Sequence, residues 1–253
     1  MTKEVNYHRA LVTYIDILGF RDLVNDQKAG VISRTIRLVR QAIEPDSATA
    51  KRHRLTFQTF SDLTVVSIPL SRSEQEDSFA NKGLFVFQMM RLIHAQSRLI
   101  DEGILLRGAV TVGQIVRSWG QLFGPGLIEA YDLERVRARF PRIVVNANVF
   151  IELRLNPNLW MHDYLDEKRT IHSLLSKEFD GVYFLDYLRA MNGEFDEPDY
   201  YLDFLLRHRD LIRRGLRRFP QVSTAREKYE WLSNYHNATV TKLFGKREEK
   251  YLV

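Results

Sequence analysis

The heptapeptide YIDILGF, residues 14–20, places one acidic side chain, Asp16, inside an otherwise apolar run. The surrounding residues 8–20 are rich in branched and aromatic side chains, which is typical of a buried strand. A buried carboxylate without a partner costs several kcal/mol even after relaxation. The sequence therefore predicts that Asp16 has a partner in the fold.

The segments that follow predict a β-α-β-β-α-β order. Residues 54–70 alternate in polarity around Ser61-Asp62, which indicates a hairpin with strands ending at Phe60 and Ile68. Helical spacing of apolar residues predicts a helix at 21–44, loosened near Gly30, and a second helix at 83–103. Polar composition predicts loops at 45–51 and 71–82, and strand-like composition predicts a strand at 104–116.

This order is that of a ferredoxin-like α+β fold, in which helices pack on a sheet containing antiparallel strands. We expect a first domain at 8–150 and a C-terminal extension at 151–253 that packs on the core or on a dimer. The rest of the chain is predicted as a turn at 119–127, a helix at 128–139, a strand or strand-to-helix passage at 142–150, a strand at 180–188, an acidic loop at 192–199 and helices to 244.

Composition excludes several classes of protein. The 253 residues are 45% hydrophobic and 27% charged, as in ordinary globular proteins, and contain no Cys. Disulfides, thiolate metal sites and cysteine nucleophiles are therefore excluded. The first residues lack a signal-peptide pattern, and no apolar run reaches the roughly 20 residues that span a bilayer. We expect a soluble, cytoplasmic protein.

Much of the formal net charge of +5 comes from an arginine-rich segment at 207–218. Such a segment suits binding to nucleic-acid phosphates. It also suits a solvated helix face whose Leu211, Ile212 and Leu216 turn inward. The sequence leaves both interpretations open.

In the predicted sheet, Asp16 and the hairpin residue Asp62 lie on neighbouring strands and can converge. Two adjacent carboxylates repel each other unless a cation lies between them. Mg²⁺ and Mn²⁺ favour one or two carboxylates together with substrate phosphates. The alternatives are that Asp16 pairs with a buried Arg and that Asp62 is simply a turn residue.

Four segments in the same order resemble motifs of the class III nucleotide cyclases. Asp16-Ile-Leu-Gly-Phe is similar to the first metal motif, and Gln58-Thr-Phe-Ser-Asp62 to the hairpin motif. RGAVTVG at 107–113 and FGPGLIEAYDLE at 123–134 are similar to the strand and helix of the second half. The resemblance covers about residues 8–150.

The resemblance implies that Asp16, Asp62 and the carbonyl of Ile17 hold two divalent cations, Mn²⁺ or Mg²⁺. The ribose 3′-oxygen would attack the α-phosphorus and expel pyrophosphate. Backbone N–H groups at Gly19 and Phe20 would bind phosphate oxygens. Arg117 falls near a triphosphate-binding position of some cyclases, although an exposed strand charge is the alternative.

The chain departs from the family where base identity and rate are set. Gln58 replaces the base-reading Glu or Lys, and Pro125 falls at the second base-reading position. Ile128 replaces the ribose-positioning Asn, and Asp132 replaces the transition-state Arg. Three nearby residues are candidates for the missing cation: Arg135, Arg137 and Arg142.

These features resemble the bacterial pyrimidine nucleotide cyclases of the Pycsar antiphage system. The resemblance implies a substrate of UTP or CTP, with a slight preference for UTP, and an effector reached through the cyclic nucleotide. It also implies a homodimer in which Asp16 and Asp62 of one chain meet Gln58 and the 124–134 turn of the other. The alternatives are an inactive cyclase-fold module and a nucleic-acid-binding protein using the arginine-rich segment.

Overall fold

The computed structural model describes residues 5–70, 81–118, 120–245 and 249–253. Its strands are β1 His8–Ile17, β2 Thr56–Phe60, β3 Leu63–Pro69, β4 Leu106–Ser118, β5 Gln121–Phe123, β6 Ile143–Val145, β7 Leu175–Lys177 and β8 Tyr183–Leu185. Its helices are α1 Phe20–Asp26, α2 Ala29–Ile43, α3 Ser47–Arg52, α4 Leu84–Asp101, α5 Pro125–Arg137, α6 Ala147–Leu155, α7 Tyr164–Ser173, α8 Tyr187–Met191, α9 Pro198–Arg218 and α10 Thr224–Phe244.

The sheet has the order β2-β3-β1-β4-β6-β8-β7, and β5 pairs with β4 outside this path. Strand β1 lies between β3 and β4 and is antiparallel to both, whereas β6 is parallel to β4. The elements from β1 to β4 therefore have the predicted ferredoxin-like order, and the predicted α+β fold is confirmed. Strands β7 and β8 come from the C-terminal extension and continue the same sheet.

The two faces of β1 pack against different helices. Leu11, Ile15 and Ile17 belong to the large core formed with α2 and α4. Val12 belongs to a smaller cluster on the opposite face, together with Ala130 of α5. Because side chains alternate along a strand, Asp16 lies on the face that α5 covers.

Helix α10 covers the same face beside α5. Its Trp231 and Tyr235 pack against Ala109, Val144 and Phe184 of three adjacent strands. Helix α10 therefore packs on the sheet through aromatic side chains. The C-terminal helices thus contribute to the surface on which Asp16 lies.

The arginine-rich segment forms the second half of α9. Leu211 and Ile212 are buried, as expected for an amphipathic helix. Four of the six arginine side chains bind within the chain: Arg207 to Asp101, Arg209 to Asp210, Arg213 to the Leu252 carbonyl and Arg218 to Asp26. These contacts favour the helix-face interpretation.

Some predicted boundaries were wrong. Residues 47–52 form α3 rather than a loop, because the Asp46 carboxylate caps the helix by accepting a 2.9 Å hydrogen bond from the Thr49 amide. The predicted turn at 119–127 contains β5, and α5 already begins at Pro125, which suits a first helical position. Most of the predicted loop at 71–82 lies outside the described residues.

Helices long and apolar enough to span a membrane are absent from the described segments of the chain.

Candidate functional site

Strand register brings Asp16 and Asp62 together. Ile15 pairs with Thr64 of β3, so Asp16 lies level with the closing pair of the β2–β3 hairpin, Phe60 and Leu63. Asp62 is the second residue of the two-residue loop. The Asp62 carboxyl group is close enough to raise the pKa of Asp16, so the structure places these two predicted site residues near each other.

The hairpin loop holds Asp62 through an uncommon backbone conformation. Ser61, the first loop residue, has a φ of +58°, in the left-handed region that side chains other than glycine rarely adopt. A positive φ at the first position of a two-residue loop matches the twist of the two flanking strands. The loop geometry thus fixes the position of the Asp62 backbone from which its carboxyl group extends.

Arg107 is the second partner of Asp16. The two residues pair directly across the β1–β4 ladder. Arg107 donates two hydrogen bonds to Asp16 Oδ2, from Nε at 2.9 Å and from Nη2 at 2.7 Å. The sequence left open whether Asp16 meets a second acid or a buried Arg, and the structure shows both.

Glu134 of α5 adds a third acid to this cluster. Its Oε1 lies 2.8 Å from Arg107 Nε, and its side chain is only 4% exposed. Oε1 accepts no hydrogen bond from the described residues, so Arg107 balances it by charge. Burial raises the pKa of Glu134, while the charge of Arg107 opposes that change.

Burial is also the main reason why the pKa of Asp16 rises to about 6. Arg107 lowers this pKa through its hydrogen bonds and charge, and Asp62 raises it. Two neighbouring carboxyl groups repel each other when both are ionised, so one of them keeps its proton to a higher pH than an isolated acid does. A divalent cation at the same place would favour the ionised form of both.

The donors at this place suit a hard cation bound partly by substrate. They are the Asp16 and Asp62 carboxylates. Ile17, whose carbonyl the sequence predicted as a further ligand, follows Asp16 as the last residue of β1. Within residues 5–70, 81–118, 120–245 and 249–253, no three His, Cys, Asp or Glu side chains form a metal cluster. Mg²⁺ commonly uses one or two carboxylates with water and phosphate rather than a complete protein cage, so the donor set fits such an ion.

The turn after β1 borders a cavity of about 290 Å³. Gly19 is part of its wall and has a φ of +79°, which allows the chain to turn directly from β1 into α1. Phe20 is the first residue of α1 and is half-buried. The structure thus places Gly19 at the wall of an open space that begins at Ile17, the residue after Asp16.

Gln58 and Arg117 lie in a different environment. Gln58 Nε2 donates a 2.9 Å hydrogen bond to the Gly120 carbonyl, and Arg117 Nη1 donates a 2.8 Å hydrogen bond to the Arg54 carbonyl. Arg117 is ten residues beyond Arg107 on β4, about 30 Å along the strand. A single chain does not bring Arg117 to Asp16.

Helix α5 carries the other residues that the sequence singled out. Ile128 is 63% exposed, and Asp132 is also exposed. Arg142 is buried, with Nη1 3.3 Å from Glu178, so it is a structural ion pair rather than a free cation for a ligand. Arg135 and Arg137 lie exposed near the end of α5.

The sequence predicted no role for three residues at or near this site: Arg107 of β4, Glu134 of α5 and Lys228 of α10. Arg107 and Glu134 lie inside motifs that could have drawn attention to them, since an Arg and a Glu in otherwise apolar surroundings need partners. Lys228 lies in no such motif. Its proximity to Asp16 depends on how α10 crosses the sheet.

The chain matches no protein-family model and no curated protein sequence. Among solved structures it is similar to the guanylyl cyclase domain of the RhoGC fusion protein from Blastocladiella emersonii (13% identity, 72% of this chain, 98% of that chain, TM-score 0.46). It is also similar to the adenylyl cyclase CyaB from P. aeruginosa (14% identity, 72% and 96% covered, TM-score 0.43). A third is the guanylate cyclase domain of RhGC from Catenaria anguillulae in complex with GTP (12% identity, 71% and 97% covered, TM-score 0.42).

Proposed function

We propose that this protein is a metal-dependent nucleotide cyclase that converts UTP or CTP, with a slight preference for UTP, to the 3′,5′-cyclic nucleotide and pyrophosphate. The observation that carries the proposal is that strand register places Asp16 level with the hairpin that holds Asp62, where the two carboxyl groups interact. This is where the cyclase-like motifs at 16–20 and 58–62 meet. The arrangement supports a cation site near a cavity that would receive phosphate groups.

Asp16, Asp62 and the Ile17 carbonyl would hold two Mn²⁺ or Mg²⁺ ions. When bound, such ions neutralise the triphosphate and lower the pKa of the ribose 3′-hydroxyl. The 3′-hydroxyl loses its proton to water, its oxygen forms a bond to the α-phosphorus, the bond from that phosphorus to the oxygen bridging the α- and β-phosphates breaks, and pyrophosphate leaves. Catalysis of this kind depends mainly on positioning and charge neutralisation.

The residues of this chain have separate tasks in that reaction. Arg107 holds Asp16 through Oδ2 alone and thereby fixes the orientation of the carboxylate while leaving Oδ1 free of the guanidinium. The hairpin loop positions Asp62 opposite it. Gly19 and Phe20 offer backbone N–H groups to phosphate oxygens at the edge of the cavity.

A homodimer with shared sites supplies what a single chain lacks. Arg117 lies about 30 Å from Arg107 on the same strand. In a two-fold dimer, Gln58, Arg117 and the exposed side chains of the 124–134 segment, which is mostly helix α5, would complete the site of the other copy. Exposed apolar side chains on the hairpin and on α5, with Phe60 81% and Ile128 63% exposed, support a second copy as the partner.

Gln58 is the proposed reader of the base. Its amide can donate and accept, so it suits the edge of uracil or of cytosine. In this proposal, the Nε2 contact with the Gly120 carbonyl orients the amide before the base arrives. The resemblance to bacterial pyrimidine cyclases supports a role as producer of a second messenger in antiphage defence, with an effector that responds to the cyclic nucleotide.

An inactive nucleotide-binding module is the second candidate. The ion pair between Arg107 and Asp16 favours it, because the guanidinium already neutralises one of the two metal-binding acids. Ile128 and Asp132, at positions where active relatives place Asn and Arg, also favour it. This candidate predicts nucleotide binding without a cyclic product.

The two candidates are distinguished by incubating the protein with each of the four NTPs and Mn²⁺ and identifying products by mass spectrometry. We expect cyclic UMP or cyclic CMP with pyrophosphate. Asp62→Asn should remove the product while the protein stays folded, whereas Asp196→Asn, in an exposed loop, should leave it unchanged. Absence of cyclic product from all four NTPs would reject the cyclase and favour the binding module.

A further inference from the structure

The cavity beside the β1–α1 turn has a wall that comes from the C-terminal extension. The β1–α1 turn and α1 form one side, the end of α9 and the start of α10 form another, and residues of α2 and of 102–105 complete the wall. Residues of the wall that carry the argument are Gly19, Asp22, Asp26, Arg218 and Lys228. The C-terminal extension thus lines part of a cavity whose other walls come from the first half of the chain.

Lys228 is the notable cation of this wall. It is half-buried, and the described residues offer it no hydrogen bond and no ion pair within 4 Å. It lies one helical turn before Trp231, which packs against the sheet and fixes this part of α10. An ammonium group held at a cavity wall without a direct counter-ion is suited to an anionic ligand.

Lys228 interacts with the charges of the acid site. Burial lowers the pKa of Lys228, and Arg107 lowers it further, whereas Asp22 and Asp16 raise it. Its ammonium therefore interacts electrostatically with the same Asp16 and Arg107 that form the proposed catalytic cluster. A ligand that reaches from Asp16 past Gly19 into the cavity would approach Lys228.

The acids of the cavity have partners that reduce their repulsion of an anion. Asp26 lies 3.6 Å from Arg218, and Glu102 lies 3.2 Å from Arg34. Asp22 is the remaining acid of the wall. Lys228 and Asp22 thus set the local charge that an incoming phosphate group meets.

We propose that Lys228 binds the terminal phosphate groups of the substrate and so makes the C-terminal extension part of the nucleotide site of its own chain. This inference rests on the proposed function and deepens it. It defines the ligand of the cavity as a polyphosphate anion. It also supplies, from the same chain, a cation that helix α5 lacks at Asp132.

Inorganic tripolyphosphate is the probe that tests the inference without catalysis. Binding to the full chain is measured by calorimetry in the presence of Mg²⁺. We expect Lys228→Met to weaken binding about tenfold and Lys228→Arg to stay within about threefold of the original protein. Lys242→Met, an exposed change on the same helix, should have no effect, and Asp22→Asn should strengthen binding.

A second measurement separates this inference from the proposed function. With an NTP that is turned over, Lys228→Met should raise KM and weaken inhibition by pyrophosphate. Equal tripolyphosphate affinity in Lys228→Met and the original protein, with both folded, would overturn the inference even if cyclase activity is found. Loss of tripolyphosphate binding in that variant, in a protein that makes no cyclic product, would support the inference and reject the cyclase.

Discussion

Arg107 binds Asp16 through a single carboxylate oxygen, with Nη2 2.7 Å and Nε 2.9 Å from Oδ2. The same guanidinium lies 2.8 Å from Glu134, so one cation serves two acids on facing elements. This arrangement joins β1, β4 and α5 at the point where Asp62 also arrives. The ion pair is thus both a structural contact and the support of the proposed cation site.

Replacing Arg107 should destabilise the fold. In Arg107→Met, Asp16 and the buried Glu134 lose their shared cation, and breaking such a pair costs about 3 kcal/mol. Urea unfolding measures the change. Arg34→Ala is the matched control, because the Arg34–Glu102 pair is exposed and should contribute less than about 1 kcal/mol. Equal losses in the two variants would contradict the role given to Arg107.

The raised pKa of Asp16 predicts a pH dependence of stability. Because the pKa of Asp16 is about 6 in the folded state and 3.8 for an ordinary aspartate, the folded state binds more protons than the unfolded state between these values. The free energy of unfolding therefore receives a contribution from Asp16 that falls as pH rises from about 4 to about 6, on the order of 2 kcal/mol. Urea unfolding across this range should show the contribution in the original protein and not in Asp16→Asn. Asp196→Asn should retain it.

A buried pair of histidines predicts the opposite dependence. His236 Nε2 donates to the Tyr251 carbonyl at 2.7 Å, so its Nδ1 accepts from His208 Nδ1 at 2.9 Å, and His208 Nε2 accepts from the Tyr187 hydroxyl. Burial lowers the pKa of His236 to about 4, below the 6.5 of the unfolded chain. The unfolded state then binds more protons, and stability should fall as pH falls from 6.5 to about 4.

Urea unfolding of His236→Gln tests this prediction, because an amide can accept and donate without titrating. We expect the acid-side loss, on the order of 2 kcal/mol in the original protein, to become smaller in this variant. His162→Gln changes an exposed histidine and should leave the loss unchanged. An unchanged acid-side slope in His236→Gln would show that the buried pair does not set it.

The contact between β4 and α5 should be intolerant of side chains. A Cβ at Gly113 would lie 2.4 Å from the Gly126 Cα, so Gly113→Ala must displace the start of α5. We expect a loss of at least about 2 kcal/mol, since overpacking typically costs 1–3 kcal/mol. Gly30→Ala, in open space at the start of α2, should leave stability equal or slightly higher. Thermal unfolding compares the two, and a tolerated Gly113→Ala would contradict the close packing.

The elements that the sequence predicted are those with a repeating pattern of apolar and polar residues within one segment. Alternation around Ser61-Asp62 predicted the hairpin, and helical spacing predicted α4 and α10, because those patterns reflect contacts with neighbouring elements. Strands β5 and β7 are three residues long, too short to leave a periodic pattern. The short helix α3 depends on a cap at Asp46 rather than on an apolar face.

In the candidate site, too, only the part encoded by local sequence patterns could be predicted. Asp16 and Asp62 were predicted to converge because they lie in adjacent elements of a recognisable order. The pairing of Asp16 with Arg107 depends on the register between strands 91 residues apart, which no local pattern encodes. Lys228 is further still along the chain, and its place at the cavity follows from the path of α10 over the sheet.

The Arg107 side chain also allows the protein to fold without a bound metal ion. Because this side chain supplies positive charge to Asp16 and Glu134 from within the chain, the fold can be completed before any metal ion arrives. In the proposed cyclase, folding and the loading of metal and nucleotide would therefore be separate events. Such a chain could fold in advance, and the supply of metal and nucleotide would determine when it is active.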